Sequence, residues 1–494
     1  MPAISGWSTP KSAAPEALRA GVAAILALTL YRVVLLAFST ADLFVDEAQY
    51  WAWGQQLEAG YYSKPPLIAW VIRAVTTLAG SDAPFWIRLP GPLLHGAAAL
   101  VTLALARRLW GDTAGAATGI AYAAMPGVAV GALLFSTDTI LLPFFALALL
   151  FWLRLADRPS GKDALIMGAA LGLGMLAKYA AIYFVMGAIL AALFVPAARI
   201  RWRDAGLAAL AFLVVLSPNI AWNIDNGLTT LSHTADNVDW ITAPSDRLRL
   251  NFAGLAEFVG GQFGVMGPVF FAAYLVAVVR LARSPDPARR WLIWMSLPII
   301  ALVCVQAILS RAYANWAAPA YVAGIVLTAP WLFDRARLAY WAGLGINLVL
   351  ALALPLAAVF ASSWEIGGRL PLARYVGRTE AATRILSTAS EAGLTDVAST
   401  SRDLLASLFH ETADTAIWSV PFPDHPPHYY AQRFPYPQGL DGPALYADFD
   451  AVPPACQPGT QVTELARWTP DKGAYRDRTI IAWQVGPGCW DDAG

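Results

Sequence analysis

The chain has 494 residues, of which 57% are hydrophobic and only 14% charged, against a charged share of about 25% in ordinary soluble domains. That composition, with a mean hydropathy of +0.52, excludes an ordinary soluble protein and reads as an integral membrane protein. The 34 basic and 34 acidic residues cancel, so no net field points to nucleic acid, and every charge argument rests on position.

The opening residues, MPAISGWSTPKSA, lack the charged, apolar, small-residue order of a cleaved signal peptide, so the first span is expected to be retained. About 20 apolar residues cross the hydrocarbon as a helix. Runs that meet or approach this length occupy 20–38, 86–106, 113–134, 139–155, 164–177, 180–198, 205–221, 252–279, 291–309, 316–332 and 338–360. The expected architecture is an all-α polytopic membrane protein of about eleven transmembrane helices. Alternate loops carry Arg107 and Arg108, then Arg154, Arg158 and Lys162, then Arg199, Arg201 and Arg203, then Arg280, Arg283, Arg289 and Arg290, then Arg335 and Arg337. Cytoplasmic loops are enriched in such cations, which places the N-terminus inside and the acidic, aromatic loops outside. An odd number of spans puts the C-terminal segment outside as well.

From residue 361 the chain turns polar and proline-rich. Amphipathic spacing predicts a helix over 380–392, and Thr479-Ile480-Ile481-Ala482-Trp483-Gln484-Val485 predicts a strand. The domain reading is therefore a transmembrane domain over 1–360, with an outer loop at 40–85, and a small mixed α/β domain over 361–494. Cys304 falls in an apolar run, where packing is the expected role. Cys456 and Cys489 share the polar segment, and an oxidising compartment would permit a disulfide between them.

The loop after the first span reads FVDEAQYWAWGQQLEAGYYSKPPLIAW. It sets Asp46 and Glu47 beside Tyr50, Trp51, Trp53, Tyr61 and Tyr62. Asp46 followed by Gln49 predicts an N-cap with a capping-box partner, and Gly60 predicts the end of that helix. Lys64, Pro65 and Pro66 then open a second interfacial helix. Trp and Tyr favour membrane interfaces in any case; the functional alternative is stacking on a sugar or prenyl chain.

Further motifs follow in order: Trp86-Ile87-Arg88-Leu89-Pro90, Ser136-Thr137-Asp138-Thr139, Gly172-Leu173-Gly174-Met175-Leu176-Ala177-Lys178-Tyr179, Ser217-Pro218-Asn219, Trp222-Asn223 and Arg311-Ala312-Tyr313-Ala314-Asn315-Trp316. Together with the loop, this series resembles GT-C glycosyltransferases, in the branch of bacterial relatives of protein O-mannosyltransferases that includes lipid A aminoarabinose and galacturonic acid transferases. The resemblance implies a GT-C fold, a polyprenyl-phosphate sugar donor and a site on the periplasmic face of the bacterial inner membrane. The acceptor it implies is an envelope lipid such as lipid A, with a secreted protein as the alternative. A transporter or flippase of lipid-linked precursors is the rival from another class.

Carried over from the family, the catalytic base falls on Asp46, with Glu47 as its neighbour, because an attacking hydroxyl needs a group to take its proton. One base without a covalent carboxylate partner implies inversion at the sugar carbon, by analogy with glycosidases. Asp138 is either a helix cap or a second acid that orients the acceptor. Asp46, Glu47 and Asp138 are also the candidate ligands for a divalent cation, since oxygen-rich sites suit magnesium, calcium or manganese. Ser63 departs from the aminoarabinose transferases, which carry a carboxylate there. The leaving lipid phosphate calls for cations, and Lys64, Arg88, Lys178 and Arg311 are the candidates. Arg32, within the first span, is expected to face the protein interior and to meet a site acid or the donor phosphate. Tyr61, Tyr62 and His233 complete the expected substrate contacts; Glu257 reads as a further acid or a cap.

Overall fold

The protein's structure, a computed structural model, describes residues 13–228, 230, 232, 250–412, 414–422, 426–437, 439, 442–450, 456, 459–487, 489 and 490. It is a mostly helical, multi-span membrane protein. Among the described residues, six helices are long and apolar enough to cross a membrane: Pro15–Leu36, Pro84–Trp110, Thr137–Asp157, Trp202–Asp225, Pro287–Leu309 and Arg337–Val359. Two bent pairs raise the number to eight if each is one span.

The expected count of eleven is too high by this measure, although each expected run is helical. Three runs form the shorter helices Gly161–Ala177, Tyr179–Phe194 and Ala320–Arg335. Two others are broken. Asp112–Ala124 and Pro126–Leu133 meet at 56°, because Pro126 supplies no amide hydrogen to the preceding turn. Phe252–Val265 and Pro268–Leu281 meet at 111°. Gly267 makes that corner with φ +93, and a Cβ there would lie 2.0 Å from the Asn347 carboxamide oxygen. Only glycine suits both demands.

The chain divides into two compact units. The first comprises Met1–Leu36, Glu58–Val71 and Arg88–Pro355. Its interior is one apolar core containing Phe145, Trp152, Phe184, Tyr274, Tyr321 and Tyr340. Large apolar side chains such as Leu30, Val214, Val279 and Val349 are exposed on its helices, as lipid-facing surface requires.

The second unit comprises Ala37–Leu57, Ile72–Ile87 and Leu356–Gly494. Its centre is a five-stranded sheet of β1 (Asp396–Ser399), β2 (Ala416–Ser419), β3 (Ala444–Phe449), β4 (Val462–Trp468) and β5 (Ile480–Val485), in the order β2-β1-β3-β5-β4. β2, β1 and β3 run parallel, whereas β5 is antiparallel to both β3 and β4. The expected strand is β5, and the expected helix is Arg378–Glu391. Every residue of β3 is buried, as a central strand covered on both faces should be. Cys456 and Cys489 form a disulfide, so the pairing permitted by the sequence is present.

Candidate active site

In the second unit the first acidic motif is a helix start, but not with the expected cap. The helix is Val45–Gln55 with Phe44 at the N-cap. The Phe44 amide donates to the Glu47 carboxylate at 3.0 Å, so Glu47, buried at 3% exposure, is the capping-box partner that the spacing predicted at Gln49. The reason is position: Glu47 is third in the helix, where a carboxylate reaches back to the first amide. Asp46 is thereby left with a half-exposed side chain.

Arg402, first residue of the Arg402–Glu411 helix, meets that side chain. Its Nη2 donates to Asp46 Oδ1 at 2.6 Å and its Nε to Gln49 Oε1 at 2.9 Å. Asp46 and Gln49, three residues apart, share one helical face. Burial works to lower the Arg402 guanidinium, but the Asp46 carboxylate outweighs it and holds the group above the usual arginine range. Of the expected stacking residues in this unit, Tyr50 and Trp53 are buried, and Trp51 packs edge-on against His410 at 4.9 Å.

In the first unit, three of the motifs converge on one acid. Lys178 Nζ donates to both Asp138 oxygens, at 2.8 and 2.9 Å, and Asn315 Nδ2 donates to Oδ2 at 2.8 Å. The pair is largely buried, with 13% exposure at Asp138 and 18% at Lys178. Asp138 does not cap its helix; Ser136 holds the N-cap position of Thr137–Asp157. Lys178, expected on the donor phosphate, is committed to this carboxylate.

Two other motifs clamp the second half of the acidic loop. Asn219 Nδ2 donates to the Ala59 carbonyl at 2.7 Å, and Trp222 Nε1 to the Glu58 carboxylate at 2.9 Å. Tyr179 links Asn219 and Asn223 through its hydroxyl. Gly60 is not the end of the preceding helix, which stops at Gln55. It lies against the Trp222 indole, where a Cβ would sit 2.3 Å from Cε3. Tyr61 is buried, its hydroxyl accepting from the Glu58 amide at 3.1 Å and its carbonyl accepting from Thr230 at 2.6 Å. Burial pushes its phenol up to about 12, so the ring is a neutral part of the clamp.

The remaining candidates are scattered. Lys64 and Tyr62 are partly exposed, and the Lys64 carbonyl accepts from the Tyr61 amide at 3.1 Å. Arg88 is almost fully buried. Arg32 is buried and donates to the Ala123 carbonyl at 2.8 Å, a group beside the break before Pro126. Arg311 is exposed, with Nη1 3.4 Å from the Tyr313 hydroxyl. Glu257 is exposed, and Asn251 caps its helix instead. His233 lies outside the described residues. Among the described residues no group of three or more His, Cys, Asp or Glu could hold a metal ion. Asp46 and Asp138 each face a cation and Glu47 holds a backbone amide, so the residues do not fit the expected divalent site.

The sequence is 41% identical to the lipid A galacturonosyltransferase RgtD of Rhizobium johnstonii, over 95% of this chain and 99% of that protein. The chain belongs to the RgtD family of GT-C glycosyltransferases. It is 29% identical to the lipopolysaccharide core galacturonosyltransferase RgtA of the same organism over 50% of this chain and 51% of RgtA. A family model described as dolichyl-phosphate-mannose-protein mannosyltransferase matches residues 63–222. The fold is shared with ArnT from Cupriavidus metallidurans bound to undecaprenyl phosphate, with a TM-score of 0.62 at 17% identity, covering 93% of this chain and 97% of ArnT.

In this RgtD-family enzyme the residue that sequence reasoning missed is Arg402. It stands alone in a polar stretch and lies 356 positions from its partner Asp46. The Ser401 N-cap and the Asp403 that follows mark only a helix start; nothing in the sequence ties that start to the acidic loop.

Proposed function

We propose that the enzyme transfers galacturonic acid from a polyprenyl-phosphate donor to lipid A, on the periplasmic face of the inner membrane and with inversion at the anomeric carbon. The observation that carries this reading is the 41% identity to RgtD over nearly the full length of both chains. The fold shared with an undecaprenyl-phosphate-bound ArnT supports the class of donor.

In this reading an acceptor hydroxyl oxygen attacks the anomeric carbon while the bond from that carbon to the phosphate oxygen breaks. The sugar leaves on the acceptor and the lipid leaves as its phosphate. Asp46 takes the hydroxyl proton. Lys64, Arg88 and Arg311 are the proposed cations for the phosphate. Lys178, bound to Asp138, is instead proposed to hold that acid in place for the acceptor.

Mass spectrometry of envelope lipids and secreted proteins tests the reading, in cells with the enzyme, without it, and with Asp46→Asn. A hexuronosyl residue missing from lipid A in both defective strains supports it. Loss from a secreted protein would favour the protein acceptor suggested by the mannosyltransferase match over 63–222. Unchanged glycoconjugates with a lipid-linked precursor accumulating on the inner leaflet would favour the flippase.

A further inference from the structure

A uronyl donor differs from an ordinary hexosyl donor by one charge, the carboxylate at C6. Brought to Asp46, it would place two carboxylates together, and like charges so close oppose each other's ionisation unless a cation stands with them. In the second unit that cation is Arg402, 2.6 Å from Asp46. Its bonds to Gln49 and Asp46 use one N–H on Nε and one on Nη2, and a guanidinium carries five in a fixed fork. The three hydrogens left over, two on Nη1 and one on Nη2, suit a second carboxylate in side-on geometry. Its side chain is 37% exposed, so a ligand can reach it.

Arg402 is also held still. Ser401 caps its helix by accepting from the Leu404 amide, and Asp448, 6% exposed, accepts from the Thr400 amide at 2.8 Å. Beside it stands a buried group without an explanation in the fold. Tyr430 is 0% exposed, stacks on Phe409 at 5.0 Å, and its hydroxyl has no hydrogen-bond partner among the described residues. His428 links it to the start of the Arg402 helix: the His428 ring lies 6.2 Å from the Tyr430 ring, and its Nε2 is 3.2 Å from the Thr400 carbonyl, two residues before Arg402. A buried hydroxyl left unsatisfied is costly, and a ligand oxygen would remove the cost.

We propose that Arg402, assisted by the Tyr430 hydroxyl, binds the C6 carboxylate of the transferred sugar and makes the enzyme select a uronyl donor over its neutral counterpart. This rests on the galacturonosyl reading above. Arg402 is then a specificity residue as well as the partner of Asp46.

The test measures dissociation constants of the purified full-length enzyme in nanodiscs for polyprenyl-phosphate galacturonic acid and polyprenyl-phosphate galactose, followed by tryptophan fluorescence. Wild type should bind the uronyl donor about 10- to 100-fold more tightly, the worth of a charge-assisted pair. Arg402→Gln should bring the two donors within about threefold, by weakening the uronyl one. Arg402→Lys should keep part of the preference, since it keeps the charge but loses the fork. Tyr430→Phe should lower it severalfold. The inference is overturned if wild type shows no preference, if the preference survives Arg402→Gln, or if that change weakens both donors equally. Should Arg402→Gln not fold, a full preference in both Arg402→Lys and Tyr430→Phe would overturn it. The galacturonosyl reading fails by a different result: no galacturonic acid reaching lipid A in wild-type membranes, whichever donor binds better.

Discussion

At the scale of single residues, the two neighbouring acids of the first loop have separable work. Glu47 closes the first turn of Val45–Gln55 from a buried position, whereas Asp46 is half-exposed and faces Arg402. Asp46→Asn is therefore expected to lower kcat by about 100- to 10,000-fold, the usual range for a lost general base, with little change in melting temperature. Glu47→Gln should do the reverse, costing about 1 kcal/mol of stability, as lost caps do. Thermal melting and initial rates on the same two proteins separate the roles. Asp138 and Lys178 form a different kind of unit. Removing either partner strands a charge and should cost about 3 kcal/mol, while the double change Asp138→Asn with Lys178→Met should recover much of it. A double-mutant cycle on melting in detergent reads this directly; strictly additive losses would mean that the pair is not coupled.

At the scale of elements, the clamp on residues 58–61 depends on a glycine. Gly60→Ala should cost about 1 to 3 kcal/mol through overpacking against Trp222, and far less in a Trp222→Ala background. Limited proteolysis at the loop measures the effect. A second element carries a pH dependence. Burial holds His428 below its ordinary value of 6.5, and its Nδ1 accepts from the Ala431 amide to cap Tyr429–Arg433. The folded state binds this proton less readily than the unfolded chain. Stability is therefore fully present above about pH 6.5 and falls as the pH drops toward the lowered folded value. Glu411 adds to the same trend lower down: the hydrogen bond from His410 holds it below the carboxylate range, and its contribution is lost as the pH falls through that value. Melting scans from pH 7.5 to about 5 should show the loss in wild type and less of it in His428→Asn, which keeps a capping side chain that does not titrate. The sequence made these elements only partly legible. The run of residues 45–55 signals a helix, but whether Asp46 or Glu47 serves its amides is decided by a one-residue shift in where the helix begins. Gly60 reads as a helix end because its true neighbour, Trp222, is distant along the chain.

At the scale of the whole molecule, apolar runs and ordered motifs sufficed for the fold class because each run follows from local composition and each motif from local spacing. They did not suffice for the number of spans, because corners at Met125-Pro126 and Gly267-Pro268 interrupt runs that hydropathy averages over. Asp138, Lys178 and Asn315 were singled out or fell within quoted motifs, but their meeting is a product of tertiary packing. The partner of Asp46 was not legible at all, since one arginine in a polar segment carries no local signal. In the proposed function this polypeptide alone moves galacturonic acid onto lipid A, with Asp46 as the base. The most direct measurement incubates purified enzyme in proteoliposomes with polyprenyl-phosphate galacturonic acid and lipid A, and follows the lipid A mass with time. Wild type should add one hexuronosyl residue and release polyprenyl phosphate in equal amount, and Asp46→Asn should do both about 100- to 10,000-fold more slowly. Addition at the wild-type rate by Asp46→Asn, or unmodified lipid A with wild type while the donor is bound, would contradict it.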